Sequence, residues 1–312
     1  MAKTPHYVSC SIAEFLVGEL LPVPVFIYLE RRFLAFRAPN MTIDRTTQEL
    51  LLRKKIIDLF VLEGDLPNFR EWTRKWQIGT EIPVAPEMAG VARSRDDMKR
   101  KALDIFTGNN LEKGVTESFE SSKRMVAELM KLPVAVKNLG QLQGFSKDAI
   151  DHSLNVSILS TYLAMQMGYS HQIILKNLGV GGLLHDIGKP HVVIPDNADA
   201  AVVEEKLREH PTKGPELLND EQKVGREVRM VVEQHHEYYD GSGFPQGLRG
   251  TNIYDLARIV CIANIFDELV AQGSGTLIER QRMALKQMDE VHYRKFDPQK
   301  LEKALKILKN GV

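Results

Sequence analysis

A histidine followed directly by an aspartate, His185-Asp186, stands at the end of an apolar segment of this sequence. An ionised carboxylate beside an apolar helix end costs free energy unless a cation or hydrogen-bond donors hold it. Imidazole nitrogens and carboxylate oxygens are ligands for divalent iron, manganese and zinc. Further candidates of this kind are His152, His210, His235 and His236. They follow no short metal-binding spacing, so a shared site requires the fold to bring them together.

Helical periodicity dominates the part of the chain that carries these residues. Apolar positions recur at three- and four-residue steps, which predicts helices over 146–168, 171–185, 228–235 and 254–271. The candidate histidines are expected in separate helices or at helix ends. The predicted fold class is therefore mainly α, an all-helical bundle whose core faces can hold a site.

The first 80 residues predict a small α+β accessory domain. Alternating apolar residues over 25–38 indicate a β-hairpin, and Asp44 is placed to cap a following helix. Residues 56–62 are typical of a buried strand, and 68–76 of a short helix. Nothing in this region has the spacing of a ligand set, so a signal-receiving role and an interaction role both stay open.

Prolines and glycines over 77–95 predict a linker between the two regions. The predicted organisation is an accessory domain over 1–80, a linker and the start of the helical region over 81–114, and a metal-binding helical domain over 115–312.

The overall composition argues against several classes of protein. Lys and Arg number 41 and Asp and Glu number 41, so no net charge favours nucleic-acid polymers or acidic membranes. The two cysteines, Cys10 and Cys261, suggest neither a disulfide framework nor a metal motif. No apolar run approaches the ~20 residues of a membrane span. A cytoplasmic protein is the expectation.

Four segments in fixed order resemble the HD-GYP family, a branch of the HD-domain metal-dependent phosphohydrolases. They are HDIGK from His185, the histidine of EH at 210, HHEYYDGSGFPQGL from His235, and ARIVCIANIFDEL from Ala257. The resemblance covers about 115–270. It implies an all-helical domain that binds two or three divalent metals, with iron expected first and manganese or zinc as alternatives. It also implies hydrolysis of the bacterial second messenger cyclic di-GMP.

The resemblance carries specific roles onto this sequence. The implied metal ligands are His152, His185, Asp186, His210, His235, His236 and, at the family's last aspartate ligand, Asn264. Asp186 is expected to bridge two metals and to be catalytic. Lys189 is expected beside the substrate phosphate. If the helix continues that far, Lys189 shares a face with His185. The alternative is a solvated lysine at the helix end. Asp148 stands where trinuclear members have a glutamate, but it is one methylene shorter, so two metals are expected.

Two departures change the chemistry of the site. Phe244 replaces the signature tyrosine, which keeps an aromatic ring but loses a hydroxyl, and it stays a candidate for packing, substrate stacking or partner contact. Asn264 replaces an aspartate and removes one negative charge from the implied ligand set.

A third departure affects substrate phosphate recognition. Gly273 and Thr276 stand where family members that hydrolyse cyclic di-GMP carry basic residues. Loss of bidentate guanidinium contacts weakens phosphate binding. Arg249 and Arg280 are the replacements considered, and Arg249 is expected on a solvated loop.

The favoured interpretation is a binuclear phosphodiesterase that hydrolyses or binds cyclic di-GMP through a metal-activated water. The alternative is a catalytically weak, metal-bound signalling module that contacts partners such as GGDEF-domain diguanylate cyclases through the GSGFP loop. A third hypothesis is hydrolysis of another phosphate ester or nucleotide in the same site.

Overall fold

A computed structural model describes residues 5–12, 15, 18–29, 32–54, 56, 58–79, 89–106, 111–131, 149–195, 198–219 and 224–310. The chain divides into two compact units. One comprises 1–83 with 147–149, and the other comprises 84–146 with 150–312.

The N-terminal unit is built on a four-stranded antiparallel sheet of order β1-β4-β2-β3. Its strands are β1 Tyr7–Ser11, β2 Val25–Leu29, β3 Arg32–Arg37 and β4 Asp58–Leu62. The predicted hairpin is β2-β3, which pairs Leu29 with Arg32. Helices α1 Arg45–Arg53 and α2 Leu66–Gly79 complete the unit. The side chain of Asp44 accepts the backbone N–H of Thr47 at 2.7 Å, as an N-cap does.

The second unit is helical, as its periodicity predicts. Its helices are α3 Ala89–Phe106, α4 Leu111–Leu129, α5 Ala149–Gln166, α6 Gln172–Leu184, α7 Ala200–Leu207, α8 His210–Leu218, α9 Arg226–Gln234, α10 Asp255–Gln272, α11 Leu277–Glu290 and α12 Pro298–Lys309. One apolar core joins them, and α5, α6 and α10 contribute many of its fully buried side chains. The mainly α fold class with a small α+β unit is confirmed.

The linker predicted over 77–95 was too wide. Helix α2 continues to Gly79 and α3 begins at Ala89, so helix covers both ends of that range. Gly90 lies in the first turn of α3, where a glycine interrupts a helix less than in its middle. Residues 146–148, with which the predicted helix over 146–168 begins and which include Asp148, lie outside the described residues.

Within the described ranges, no helix combines the length and the apolar character that crossing a lipid bilayer requires.

Candidate metal centre

Three histidine rings are fixed by backbone carbonyls at helix C-termini. The ring nitrogen Nδ1 lies 2.7 Å from the carbonyl oxygen of Gly182 for His185, 2.6 Å from Leu207 for His210, and 2.8 Å from Val232 for His235. Carbonyls in the last turn of a helix have no intrahelical partner, so they are free to accept such a bond. A carbonyl only accepts, so each ring must donate through Nδ1–H. Each therefore presents an unprotonated Nε2 when the imidazole is neutral.

The fourth ring, His152 on α5, is fixed by a carboxylate instead. Its Nδ1 donates to Oδ2 of Asp267 at 2.7 Å, and the amide of Asn155 donates to Oδ1 of the same carboxylate at 2.9 Å. Arg95 on α3 in turn donates to the amide oxygen of Asn155 at 3.4 Å. A carboxylate behind a histidine fixes its tautomer and its orientation, as in metal sites with supporting outer residues.

The Nε2 atoms of these four rings meet in pairs. They lie 3.2 Å apart for His152 and His185, and 3.1 Å apart for His210 and His235. Two imidazole lone pairs facing each other at this distance repel unless a cation lies between or beside them. The donor set thus fits divalent metal ions.

Asp186 lies between the two histidine pairs and faces each with a different oxygen. Its Oδ2 is 3.3 Å from Nε2 of His185 and 3.8 Å from that of His152. Its Oδ1 is 3.1 Å from Nε2 of His210 and 3.8 Å from that of His235. Among the described residues, the groups with metal-ligating geometry are His152–His185–Asp186 and Asp186–His210–His235–His236. Both groups contain the same carboxylate.

Burial keeps the second histidine group neutral. Loss of solvation lowers the pKa of His210, and lowers the pKa of His235 and His236 well below the usual value, where neighbouring imidazoles add to the effect. Burial alone would raise the pKa of Asp186, but His185 and Lys189 oppose it and hold that pKa well below its usual range. The second histidine group and Asp186 thus combine neutral imidazoles with an ionised carboxylate, which is the protonation state that metal binding requires.

Lys189 reaches this centre by a different route from the one predicted. Helix α6 ends at Leu184, so Lys189 does not lie on a continued helix face with His185. It begins a short 3₁₀ helix instead, Lys189–His191, and its Nζ donates to Oδ2 of Asp186 at 2.7 Å. The ammonium is mostly buried beside the shared carboxylate, which does not fit the solvated alternative.

Phe244 lies against the histidines. Its ring stacks on His236 with centroids 4.6 Å apart and planes at 21°, and the guanidinium carbon of Arg208 lies 4.4 Å from its centroid. The backbone N–H of Phe244 donates to the carbonyl of His236 at 3.0 Å. The preceding Gly243 permits this fold, because a Cβ there would lie 2.3 Å from that carbonyl oxygen. The peptide bond to Pro245 is cis.

The buried carboxylate of Glu237 closes the same loop. It accepts the backbone N–H groups of Gln246 at 2.7 Å and Leu248 at 2.8 Å. Its two oxygens thereby tie both ends of the segment after Phe244 to the residue that follows His236.

Asn264 lies on α10, three residues before Asp267. It is buried, its amide donates to Glu268 at 3.1 Å, and its Oδ1 has no hydrogen-bond partner. A buried carbonyl oxygen without a donor is costly, and a cation is one partner that would satisfy it.

Arg249 and Arg280 are the replacement cations considered from the sequence, and Thr276 stands at one of the positions expected to be basic. Arg249 is exposed, and Arg280 directs a guanidinium nitrogen to the carbonyl of Val270 at 3.5 Å. Thr276 is the N-cap of α11 and forms a capping box with Glu279. Sequence reasoning missed the cation that touches the loop, Arg208. It also missed the supporting roles of Asn155 and Glu237, and it left Asp267 without a role.

Comparison with known proteins places the chain. A family model described as HD domain matches residues 124–299, more than half of the chain. The protein belongs to the HD-domain family. The predicted membership of the HD-GYP branch is confirmed. The GSGFP loop carries the altered tyrosine position of that branch as Phe244.

Several relatives share this domain. A cyclic di-GMP phosphodiesterase of Pseudomonas aeruginosa is 30% identical over 252 residues, which cover 75% of this chain and 60% of that protein. A 3′3′-cGAMP-specific phosphodiesterase of Vibrio cholerae is 29% identical over 198 residues, 59% of this chain and 35% of its own. The HD-domain chain thus spans less than two thirds of the length of these curated relatives.

A solved structure supports the fold of the HD-domain chain. The HDG"Y"P protein Bd1817 from Bdellovibrio bacteriovorus matches with a TM-score of 0.53 and 19% identity, over 97% of this chain and 100% of that one. At this identity the likeness concerns the fold alone.

Proposed function

We propose that this protein hydrolyses a cyclic dinucleotide, cyclic di-GMP first, at two divalent cations that share Asp186. The observation that carries the proposal is the position of Asp186, whose two oxygens face two separate histidine groups. The names of its relatives, cyclic di-GMP and 3′3′-cGAMP phosphodiesterases, support a cyclic dinucleotide as the substrate class. Iron is the first metal to test, with manganese and zinc as alternatives.

The candidate ligands would hold two cations and supply one shared negative charge. Two bound cations would polarise the phosphodiester and lower the pKa of a water molecule that they contact. His152, His185, His210, His235 and His236 would hold them without adding charge, and Asp186 would supply the shared anion. The unpartnered Oδ1 supports Asn264 as a further, neutral ligand.

Lys189 is proposed to act on the substrate. Its ammonium lies 2.7 Å from the shared carboxylate and keeps some exposure to solvent, so that a phosphate oxygen bound at the cations would lie near it. A positive group fixed in a poorly solvated site stabilises the charge that develops on the phosphoryl oxygens as water attacks phosphorus. The bond that breaks joins phosphorus to a ribose oxygen, which leaves as an alcohol, so the first product is a linear dinucleotide.

The test is anaerobic turnover of cyclic di-GMP by protein loaded with ferrous iron or manganese, with linear product separated by chromatography. Asp186→Asn removes the charge and is expected to lower kcat by on the order of 10³-fold. The matched control is Asp289→Asn, which neutralises an exposed carboxylate that pairs with Lys309. Equal turnover by Asp186→Asn and the wild type would contradict the proposal.

The interaction module remains the second candidate because Phe244 and Asn264 remove a hydroxyl and a charge from the site. In that case the protein would bind metal, show no turnover of any cyclic dinucleotide, and bind a GGDEF-domain diguanylate cyclase through the GSGFP loop. The stacking of Phe244 on His236 weakens this alternative, because the ring contacts the metal centre of its own chain.

A further inference from the structure

Arg208 is a cation at the edge of the metal centre that the catalytic proposal leaves without a role. It is the C-cap of α7, two residues before His210, and its guanidinium carbon lies 4.4 Å from the centroid of the Phe244 ring. That ring stacks on His236, which belongs to the second histidine group. A single aromatic side chain therefore connects Arg208 to a candidate ligand.

The backbone that carries Arg208 is fixed by the same turn that fixes His210. The ring of His210 donates to the carbonyl of Leu207, and the N–H of Arg208 donates to the carbonyl of Glu205 at 3.1 Å. Main-chain bonds thus fix the position of the Arg208 backbone relative to His210.

The charge of Arg208 lies over the Phe244 ring and has no carboxylate partner among the described residues. Its neighbours Lys206 and Glu209 pair with each other at 2.9 Å. Arg208 is exposed and makes no ion pair within the described part of the chain. A guanidinium over an aromatic face keeps its N–H groups directed outward, where they can form the paired bonds that suit a phosphate.

The substrate class supplies a group of matching charge. A cyclic dinucleotide has two phosphodiesters, and only one is attacked at the metals, so the second remains an uncompensated anion. The two positions after α10 at which basic residues were expected hold Gly273 and Thr276. Gly273 ends that helix and Thr276 caps the next.

We propose that Arg208 binds the non-reacting phosphodiester of the cyclic dinucleotide, and that Phe244 positions its guanidinium. This inference rests on the proposed function and adds a specificity determinant to it. It also gives the phenylalanine of the GSGFP loop a role that does not need the missing hydroxyl.

The experiment compares Arg208→Met with wild type on cyclic di-GMP and on bis-para-nitrophenyl phosphate, which has one phosphodiester. Loss of a charge-assisted contact is expected to raise KM for cyclic di-GMP about tenfold or more, with the change in KM rather than kcat. The rise for the single phosphodiester should be much smaller. Arg294→Met is the matched control, because Arg294 lies over the ring of Tyr293 at 5.6 Å, outside the centre.

Other outcomes distinguish a failure of this inference from a failure of the proposed phosphodiesterase function. Wild-type turnover with the same KM in Arg208→Met overturns the role of Arg208 and leaves the phosphodiesterase proposal standing. If wild type binds cyclic di-GMP without turnover, Kd takes the place of KM in the same comparison. If it neither binds nor hydrolyses, both proposals fail. A loss confined to guanine-containing substrates, with cyclic di-AMP unaffected, also overturns the inference, because a phosphate contact does not distinguish bases.

Phe244→Leu tests the positioning role. The variant keeps apolar volume but removes the ring, so KM for cyclic di-GMP should rise in the same direction as in Arg208→Met. The double variant should lose less than the two single effects combined, because both remove one contact. Fully additive effects would show that the two residues act independently and would contradict the positioning role of Phe244.

Discussion

Asp267 fixes the tautomer and orientation of a candidate metal ligand, His152, without being a ligand itself. Its carboxylate accepts Nδ1–H of His152, so it selects the tautomer whose Nε2 faces the centre. Asp267→Asn removes the charge and offers an amide that can donate where an acceptor is needed. We expect metal affinity to fall about 10- to 100-fold, as for other outer-sphere carboxylates. Titration with manganese, followed by electron paramagnetic resonance, measures this change, and unaltered affinity would show that Asp267 has no such role.

Asn264 allows the reverse experiment, the addition of a charge. Asn264→Asp places an anion at a buried position whose present oxygen has no donor. Without metal the new charge should be costly and lower the melting temperature, and with metal it should be compensated. We therefore expect a larger difference in Tm between manganese-loaded and EDTA-treated protein than in wild type. A stabilisation by metal that stays the same would argue that residue 264 does not contact the cation.

The cysteines give a prediction about pH. Burial raises the pKa of Cys261 to about 12, and Cys10 is buried as well. A free thiol with pKa near 8.5 becomes mostly thiolate by about pH 9, but a buried thiol whose pKa is raised stays protonated and inaccessible. Ellman's reagent should therefore detect neither cysteine in the folded protein at this pH, and both after denaturation in urea. Rapid reaction of the folded protein would contradict the described burial.

At the scale of elements, a close contact between two segments joins the halves of the centre. Gly188 follows the His185-Asp186 pair, and a Cβ there would lie 2.2 Å from the carbonyl oxygen of His210 and 2.8 Å from the backbone nitrogen of Gly214. The absence of a side chain lets α8 approach the turn after α6. His210 and Asp186 can then face the same space.

Gly188→Ala should separate these elements. We expect a loss of stability of about 1–3 kcal/mol from overpacking, together with reduced metal content. Gly64→Ala is the control, because a Cβ at Gly64 would meet no atom within 4 Å. Thermal denaturation and metal analysis of both variants measure the two effects. A fully stable Gly188→Ala protein with normal metal content would show that the backbones can move apart without cost.

At the scale of the whole molecule, the sequence predicted the helices better than their meeting points. The periodicity of 171–185 and 254–271 gave α6 and α10 to within a residue or two at each end, because each buries an apolar face. The contact between His152 and Asp267 spans 115 positions along the chain. No local pattern reports such a contact, and only the family resemblance suggested that the histidines converge.

The features missed from the sequence are those that depend on main-chain geometry. The 3₁₀ turn that brings Lys189 to Asp186 has no signal in the spacing of the two residues. Arg208 resembles any solvated arginine at a helix end until the fold places Phe244 beneath it. Thr276 differs, because Thr276 and Glu279 form a recognisable capping pair in the sequence.

The sharing of Asp186 by two cations is tested most directly by anomalous diffraction from crystals grown with manganese. Our account predicts two peaks on opposite sides of this carboxylate, one beside His152 and His185 and the other beside His210, His235 and His236. A single peak, or peaks away from Asp186, would contradict it.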